Sequence, residues 1–386
     1  PATLALAELC HRRTNGNVFF VVSFLRMLKD KEYLAYDFGS MQWTWELPRI
    51  EEETYATTNV VSLTKRKMLT LGKKYQTMLA LSSCLGHVLE KRKLTIVATG
   101  RIENADEEED FIDEFLSFAT EEGYLEGPLG VDSMRYRWIH GSIQEAATLL
   151  IPENELVKFK YEVGKILLKD LEQHELDKYV FVVIKLLNSY SLDVGGLKDS
   201  EKVILAALNL KAAKKSSKLS AYESVSKFAK IGISLLPRGY WDAHTQLAYA
   251  LYVIAVEAEG ALMNEEAMRM YGEEVLKQKN VSVFDKMRIY KAQLSFLGLG
   301  QLGRASEAVQ VCLDALKQLG CQFPKNKVMG TVSLSLSLTK HKRELPKRTA
   351  KEVAELPIMT DRRLKEMYSI LIELSLYEYI AGQTIL

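Results

Sequence analysis

Asn264-Glu265-Glu266-Ala267 and, about 40 residues later, Gly303-Arg304-Ala305-Ser306-Glu307-Ala308 each stand where a polar turn gives way to apolar residues recurring at the 3.6-residue helical period. Each reads as the opening of the second helix of a helical hairpin, with a small alanine where two helices approach closely. Ser220-Ala221-Tyr222 takes the same place in a third pair. A unit of about 40 residues is longer than the roughly 34 of a tetratricopeptide repeat but within solenoid range. A single hairpin leaves an apolar face bare until the next one stacks on it, so the three units between Ser200 and Gly320 meet the minimum for stability. Beyond Pro152 no strand signal recurs, and helical runs alternate with short polar turns. Residues 151–386 are therefore expected to form a helical repeat array.

Toward the N-terminus the pattern changes. Tyr36, Phe38, Trp43 and Trp45 alternate around the turn formers Gly39-Ser40, which predicts a hairpin over Tyr33 to Trp45. A second hairpin is expected from Gly123-Tyr124-Leu125, a turn at Gly127, Pro128 and Gly130, and a strand from Arg135 to Ile139. Between the two lie helical stretches near Asn59 to Leu71, Lys73 to Leu85 and Phe111 to Glu122. Three helices followed by a hairpin is the order of a winged helix. The expected fold class is thus mostly α, with small sheets confined to the first third.

Composition narrows the function. The 386 residues carry Lys+Arg 51 against Asp+Glu 50, a formal net charge of +1, which gives no global pull toward nucleic acid or acidic membranes. No apolar run approaches the roughly 20 residues of a membrane span. Cys10, Cys84, Cys312 and Cys321 lack C-x-x-C spacing, which fits a reducing, cytoplasmic setting better than a disulfide framework or a zinc module. The six histidines are isolated, so no metal site is expected. No P-loop, G-x-G-x-x-G, G-x-S-x-G or H-E-x-x-H occurs, and no catalytic residue is assigned. The acidic stretch from Glu103 to Glu122 contains no Lys or Arg. A recognition helix there repels a duplex, so no nucleic-acid partner is expected. Two basic runs, Lys211 to Lys218 and Lys340 to Lys351, read as solvated helix ends or loops. The start at Pro1 and the stop at Leu386, straight after an apolar helical pattern, suggest a piece of a longer protein.

Thr14-Asn15-Gly16-Asn17-Val18-Phe19-Phe20-Val21 reads as a turn that starts a helix, whose first backbone N–H groups suit an anion. The longer stretch Leu9 to Val21, Trp43-Thr44-Trp45, Asn59-Val60-Val61, Ala80 to Gly86, His140-Gly141-Ser142-Ile143-Gln144-Glu145-Ala146-Ala147 leading to Ile151-Pro152, Leu208 to Ala213, Gly303 to Gly320 and Leu356 to Asp361 together resemble the STAND-type predicted ATPases of multidomain signalling kinases. In that family an AAA-like nucleotide-binding domain precedes a winged helix and a tetratricopeptide-like array. The resemblance implies three parts: residues 1–50 as the C-terminal lid of a nucleotide-binding domain, 51–150 as a winged-helix-like domain, and 151–386 as the repeats. It places Gly16, Asn17 and Val18 near a nucleotide. The family has Pro where Val18 stands, and usually Asp where Gly141 follows His140. It implies no cofactor in this chain, ATP or ADP with magnesium in a domain upstream, that domain as a partner in cis, a protein partner on the repeats, and no membrane partner. The function implied is the regulatory and protein-interaction portion of an ATP-dependent signalling switch. The alternative is a passive protein-binding scaffold in a kinase whose ATPase module is degenerate.

Overall fold

Most described residues are helical, as the periodicity predicts. The computed structural model describes residues 2–14, 16, 18–54, 60–101, 108–130, 134–193, 196–298, 302–323, 335–336, 339–340, 342–343, 349, 351–352, 355 and 357–382. It divides into two compact units, Pro1–Gly195 and Gly196–Leu386.

The first unit opens with α1 (Ala2–Thr14) and α2 (Val18–Asp30), then the expected hairpin as β1 (Leu34–Asp37) and β2 (Gln42–Trp45), then α3 (Leu47–Thr54). Tyr36 pairs across the hairpin with Trp43, and Leu34 with Trp45. Asp37 fixes the turn by accepting hydrogen bonds from the Gly39 and Ser40 amides and the Ser40 hydroxyl. Leu9, Phe24, Leu28 and Ile50 form the buried core of this part, with Trp45 and Leu47 packed against it.

Next come α4 (Val60–Leu69), α5 (Lys73–Cys84), β3 (Val88–Glu90), α6 (Lys91–Thr99), α7 (Glu108–Glu121), β4 (Leu125–Glu126) and β5 (Arg135–Trp138). Sequence reasoning assigns no element to the stretch that becomes β3 and α6. The sheet order is β3-β5-β4, antiparallel throughout, so the isolated first strand pairs with the last. α7 buries Phe111, Ile112, Phe115, Leu116 and Ala119. Its acids meet basic groups and a phenol of the same unit: Asp113 pairs with Lys91 at 2.7 Å, and Glu114 accepts from the Tyr75 hydroxyl at 2.5 Å. Residues 102–107, the start of the acidic stretch, lie outside the described residues. α8 (Gly141–Thr148), α9 (Glu153–Asp170) and α10 (Gln173–Asp193) complete the unit, α9 and α10 packing as an antiparallel pair.

In the second unit α11 (Asp199–Lys218) packs on α12 (Tyr222–Ser234), α14 (Thr245–Ala261) on α15 (Glu265–Lys277), α16 (Val283–Gly298) on α17 (Ala305–Gln318), and α17 on α18 (Arg362–Ile380). The short α13 (Tyr240–Ala243) leads into α14. A continuous core runs from Ala248 and Val256 through Met268, Ile289, Ala308 and Cys312 to Ile370 and Leu374, which is what stacked hairpins must bury.

α15 and α17 begin where the two quoted stretches predict. Of the three alanines expected at helix crossings, Ala308 is fully buried, Ala267 is half-buried and Ala221 is exposed as the N-cap of α12. The expectation for Ala221 is corrected. A residue before the first turn faces outward, and helices come nearest one or two turns further in. Ala229 and Gly232 of α12 fill the place: a Cβ on Gly232 would lie 3.3 Å from Asn209 Cβ of α11 and 2.6 Å from Leu251 Cδ2 of α14.

Candidate functional site

The turn between α1 and α2 is the place where sequence reasoning puts a ligand. Gly16 has φ +72°, a left-handed conformation that costs glycine nothing, and a Cβ there would come within 3.0 Å of His11 Nε2. Asn17 lies outside the described residues. Val18 opens α2 and is 76% exposed. Glu8, His11 and Arg12 line a shallow depression beside the turn. Arg12 is held at 2.9 Å by Glu51 of α3.

Two of the resembling stretches meet here. Phe20, in the first turn of α2, is buried and stands edge-on to the His140 ring with centroids 4.9 Å apart. His140 caps α8, its Nδ1 accepting the Ser142 amide at 3.2 Å. A third joins through Gln144, whose Nε2 donates to the Ser83 carbonyl of α5 at 2.9 Å. The first turn of α2 carries no acidic side chain. The cationic side chain beside the turn, Arg12, is already paired with Glu51, and Glu8 adds a second carboxylate to the depression. Among the described residues no group of three or more His, Cys, Asp or Glu is placed to hold a metal ion.

Three charged clusters escaped sequence reasoning, because each joins residues far apart in the chain. At the end of β3, Glu90 takes Lys178 Nζ at 2.8 Å, accepts from the Tyr179 hydroxyl, and has Arg135 Nε at 4.0 Å. Lys93, almost fully buried, lies over the Tyr179 ring at 4.7 Å. Burial raises the Glu90 carboxyl, but the Lys178 and Tyr179 hydrogen bonds outweigh it and hold the group below its usual range. This cluster docks α10 onto the β3–α6 corner.

In the second unit Glu259 is 1% exposed. It is satisfied by the Ser226 hydroxyl at 2.5 Å, Lys230 Nζ at 2.8 Å and Asn264 Nδ2 at 2.6 Å. The third cluster runs along the array: Arg304 grips Glu265 and Glu307, and Arg269 bridges the same two carboxylates at 2.7 and 2.9 Å. On successive first helices Arg288 pairs with Glu257 and Lys291 with Glu366, each at 2.6 Å. Of the two basic runs, Lys214 and Lys218 are exposed on α11, whereas most of residues 340–351 lie outside the described residues.

Comparison with known proteins gives one distant likeness. The chain is 22% identical over 381 residues to the hybrid signal transduction histidine kinase G of Dictyostelium discoideum, covering 86% of this chain and 11% of that protein. The chain therefore spans about a tenth of the length of the curated relative it matches. No family model matches, and no solved structure matches. Among the described residues no helix is long and apolar enough to cross a membrane.

Proposed function

We propose that the chain is a regulatory and protein-interaction portion of a STAND-type, ATP-dependent signalling protein of the cytoplasm. The distant similarity to a signal transduction histidine kinase supports the signalling role. The observation that carries the finer reading is the order of elements in residues 73–138: helix, strand, two helices, two strands, with the first strand paired to the last. That order supports a winged-helix reading, and the helix pairs that follow it support the reading as repeats. In this reading the repeats hold a protein partner, and α1, α2 and the turn at Gly16, Asn17 and Val18 face an upstream nucleotide-binding domain that holds ATP or ADP with magnesium. Partner binding on the repeats and nucleotide exchange then bias the same two-state switch. The pairing of α7 acids with groups of its own unit supports the absence of a nucleic-acid partner.

The test is the protein extended upstream of Pro1, purified, denatured and assayed for released nucleotide by chromatography. Retained ADP or ATP, reduced by Phe20→Ala and increased by Val18→Pro, supports the switch. A preparation that carries and binds no nucleotide supports the passive scaffold instead, to which the departures at Val18 and Gly141 already lean.

A further inference from the structure

The first helices of two successive hairpins, α11 and α14, end in the same closed turn. The Ala221 amide reaches back to the Ser216 carbonyl at 3.1 Å and the Asn264 amide to the Glu259 carbonyl at 2.9 Å, as the Cys321 amide does to Leu316 at the end of α17. This closure needs one residue in the left-handed region, a place that glycine usually takes. Gly320 takes it after α17, but Ser220 (φ +55°) and Met263 (φ +58°) take it after α11 and α14. Both carry backbone strain that a glycine relieves. Met263 moreover holds a long apolar side chain out in water, 53% exposed.

Exposed apolar neighbours surround it. Ser226 of α12 donates to Glu259 of α14, and a Cβ on Gly232 would meet Leu251, so the two helices run antiparallel. One turn back from Ser226, Tyr222 therefore comes level with Met263, one turn beyond Glu259. Leu219 stands before Ser220 as Leu262 stands before Met263, and Leu219, Tyr222, Leu262 and Met263 are all exposed, from 38% to 68%. Leu219 continues the face of α11 that carries Lys214 and Lys218, both exposed. Residues 211–230 hold six lysines against one acid, Glu223. Lys214, Lys218 and Lys227 make no ion pair among the described residues, whereas charges of the later hairpins are matched from helix to helix. Hairpins added at either end of a stack cover helix faces rather than turn tips, so a longer array leaves this edge open.

Resting on the reading of the repeats as a protein-binding array, we infer that the turn edge of α11–α12 and α14–α15 binds an acidic segment of a partner protein. Its carboxylates meet Lys214 and Lys218, and its apolar side chains meet Leu219, Tyr222, Leu262 and Met263. Methionine adapts to varied apolar partners, and opposite charge sets the orientation and speed of encounter. A nucleic acid would need aromatic faces for its bases, and Tyr222 is the one ring among these side chains.

The test is selection from a random peptide library on the full 386-residue chain, with binding of the recovered peptides followed by fluorescence anisotropy. These should combine Asp or Glu with Leu, Met or an aromatic residue, and should bind more weakly as salt rises. Lys214→Glu combined with Lys218→Glu should weaken them about tenfold or more, with unchanged far-ultraviolet circular dichroism, and should favour the same peptides with Lys in place of their acids. Met263→Gly should weaken them while raising the midpoint of thermal unfolding, because glycine relieves the strain as it removes the contact. A merely structural residue would move binding and stability the same way. Peptides without acids, or acidic peptides indifferent to both variants, overturn the inference. Peptides that hydrogen exchange maps elsewhere on the second unit overturn this edge and leave the protein-binding reading standing, whereas recovery of no peptide sinks both. A single-stranded RNA or a phosphatidylserine vesicle held by Lys214 and Lys218 in place of any peptide gives the edge to another class of partner and overturns it equally.

Discussion

Arg304, at the foot of α17, grips Glu265, at the first residue of α15, through two parallel hydrogen bonds of 2.7 and 2.6 Å. The two residues belong to the equivalent turns of successive hairpins, so this fork sets the height at which one hairpin stacks on the next. Arg269 and Glu307 close the ring. A planar guanidinium matches a carboxylate in a way that an ammonium group does not.

The ring makes acid stability a property of the array. Hydrogen bonds from Arg304, joined by Arg269 and opposed by burial, hold the Glu265 carboxyl down to about 2, well below its ordinary 4.5. A depressed carboxyl contributes stability above its unfolded value and loses it as pH falls toward the folded value. Urea unfolding followed from pH 5 to 2 should therefore lose stability across the window from about 4.5 to 2. Glu265→Gln should flatten that loss, and at neutral pH should cost on the order of 1 kcal/mol, the upper range for a partly exposed pair. Arg304→Lys should recover only part of the wild-type value.

Gly232 and Ala221 should respond oppositely to added bulk. Gly232→Ala drives a methyl into Leu251, which is fully buried and has nowhere to go. A loss of roughly 1–3 kcal/mol is expected for such overpacking. Ala221→Leu adds its side chain to solvent and should move the midpoint of thermal unfolding by little. Equal effects would mean that the crossing point of this hairpin is misplaced.

These contrasts show what was legible in the sequence. The starts of α15 and α17 could be read because polar turn and apolar period change together within four residues. The first hairpin could be read because Tyr36, Trp43 and Trp45 alternate. β3 and α6 could not: three residues, Val88 to Glu90, are too few to alternate, and Thr95, Ile96, Val97 and Thr99 favour strands by propensity. α6 is helical because Leu94, Ile96, Val97 and Ala98 are buried, while Thr95 and Thr99 turn their hydroxyls back to carbonyls four residues earlier. Tertiary packing overrides propensity there. The crossing residues and the ion-pair ring depend on which turns of neighbouring hairpins come level, and no local pattern encodes that.

Tyr124 offers a substitution that should not harm the protein. Its ring is buried against Phe118, and its hydroxyl is buried with no hydrogen-bond partner among the described residues. Burial accordingly pushes the phenol upward. An unsatisfied buried hydroxyl costs about 1–3 kcal/mol, so its removal returns part of that. Tyr124→Phe should leave stability unchanged or raise it by up to about 1 kcal/mol in a denaturation curve. A clear loss would reveal a partner for the hydroxyl, such as an ordered water.

The contact of Phe20 with His140 joins residues 120 positions apart, and it is the best structural gauge of whether the first two helices and α8 move as one body. Phe20→Ala removes a buried ring and should cost roughly 3–5 kcal/mol if the site cannot collapse. His140→Ala removes an N-cap, worth about 0.5–2 kcal/mol, together with the ring edge. If the rings interact directly, the double variant should cost less than the two single losses added, by about 0.5–1.5 kcal/mol, the usual worth of an aromatic pair. Hydrogen exchange adds a readout that stability alone does not give. Phe20→Ala should raise exchange in α8 (Gly141–Thr148) as well as in α2, because the cap turn loses the surface it rests on. Additive losses, with exchange raised in α2 alone, would mean that the two helices are neighbours without being coupled, and that nothing bound at the Gly16 turn reaches the rest of the unit by this route.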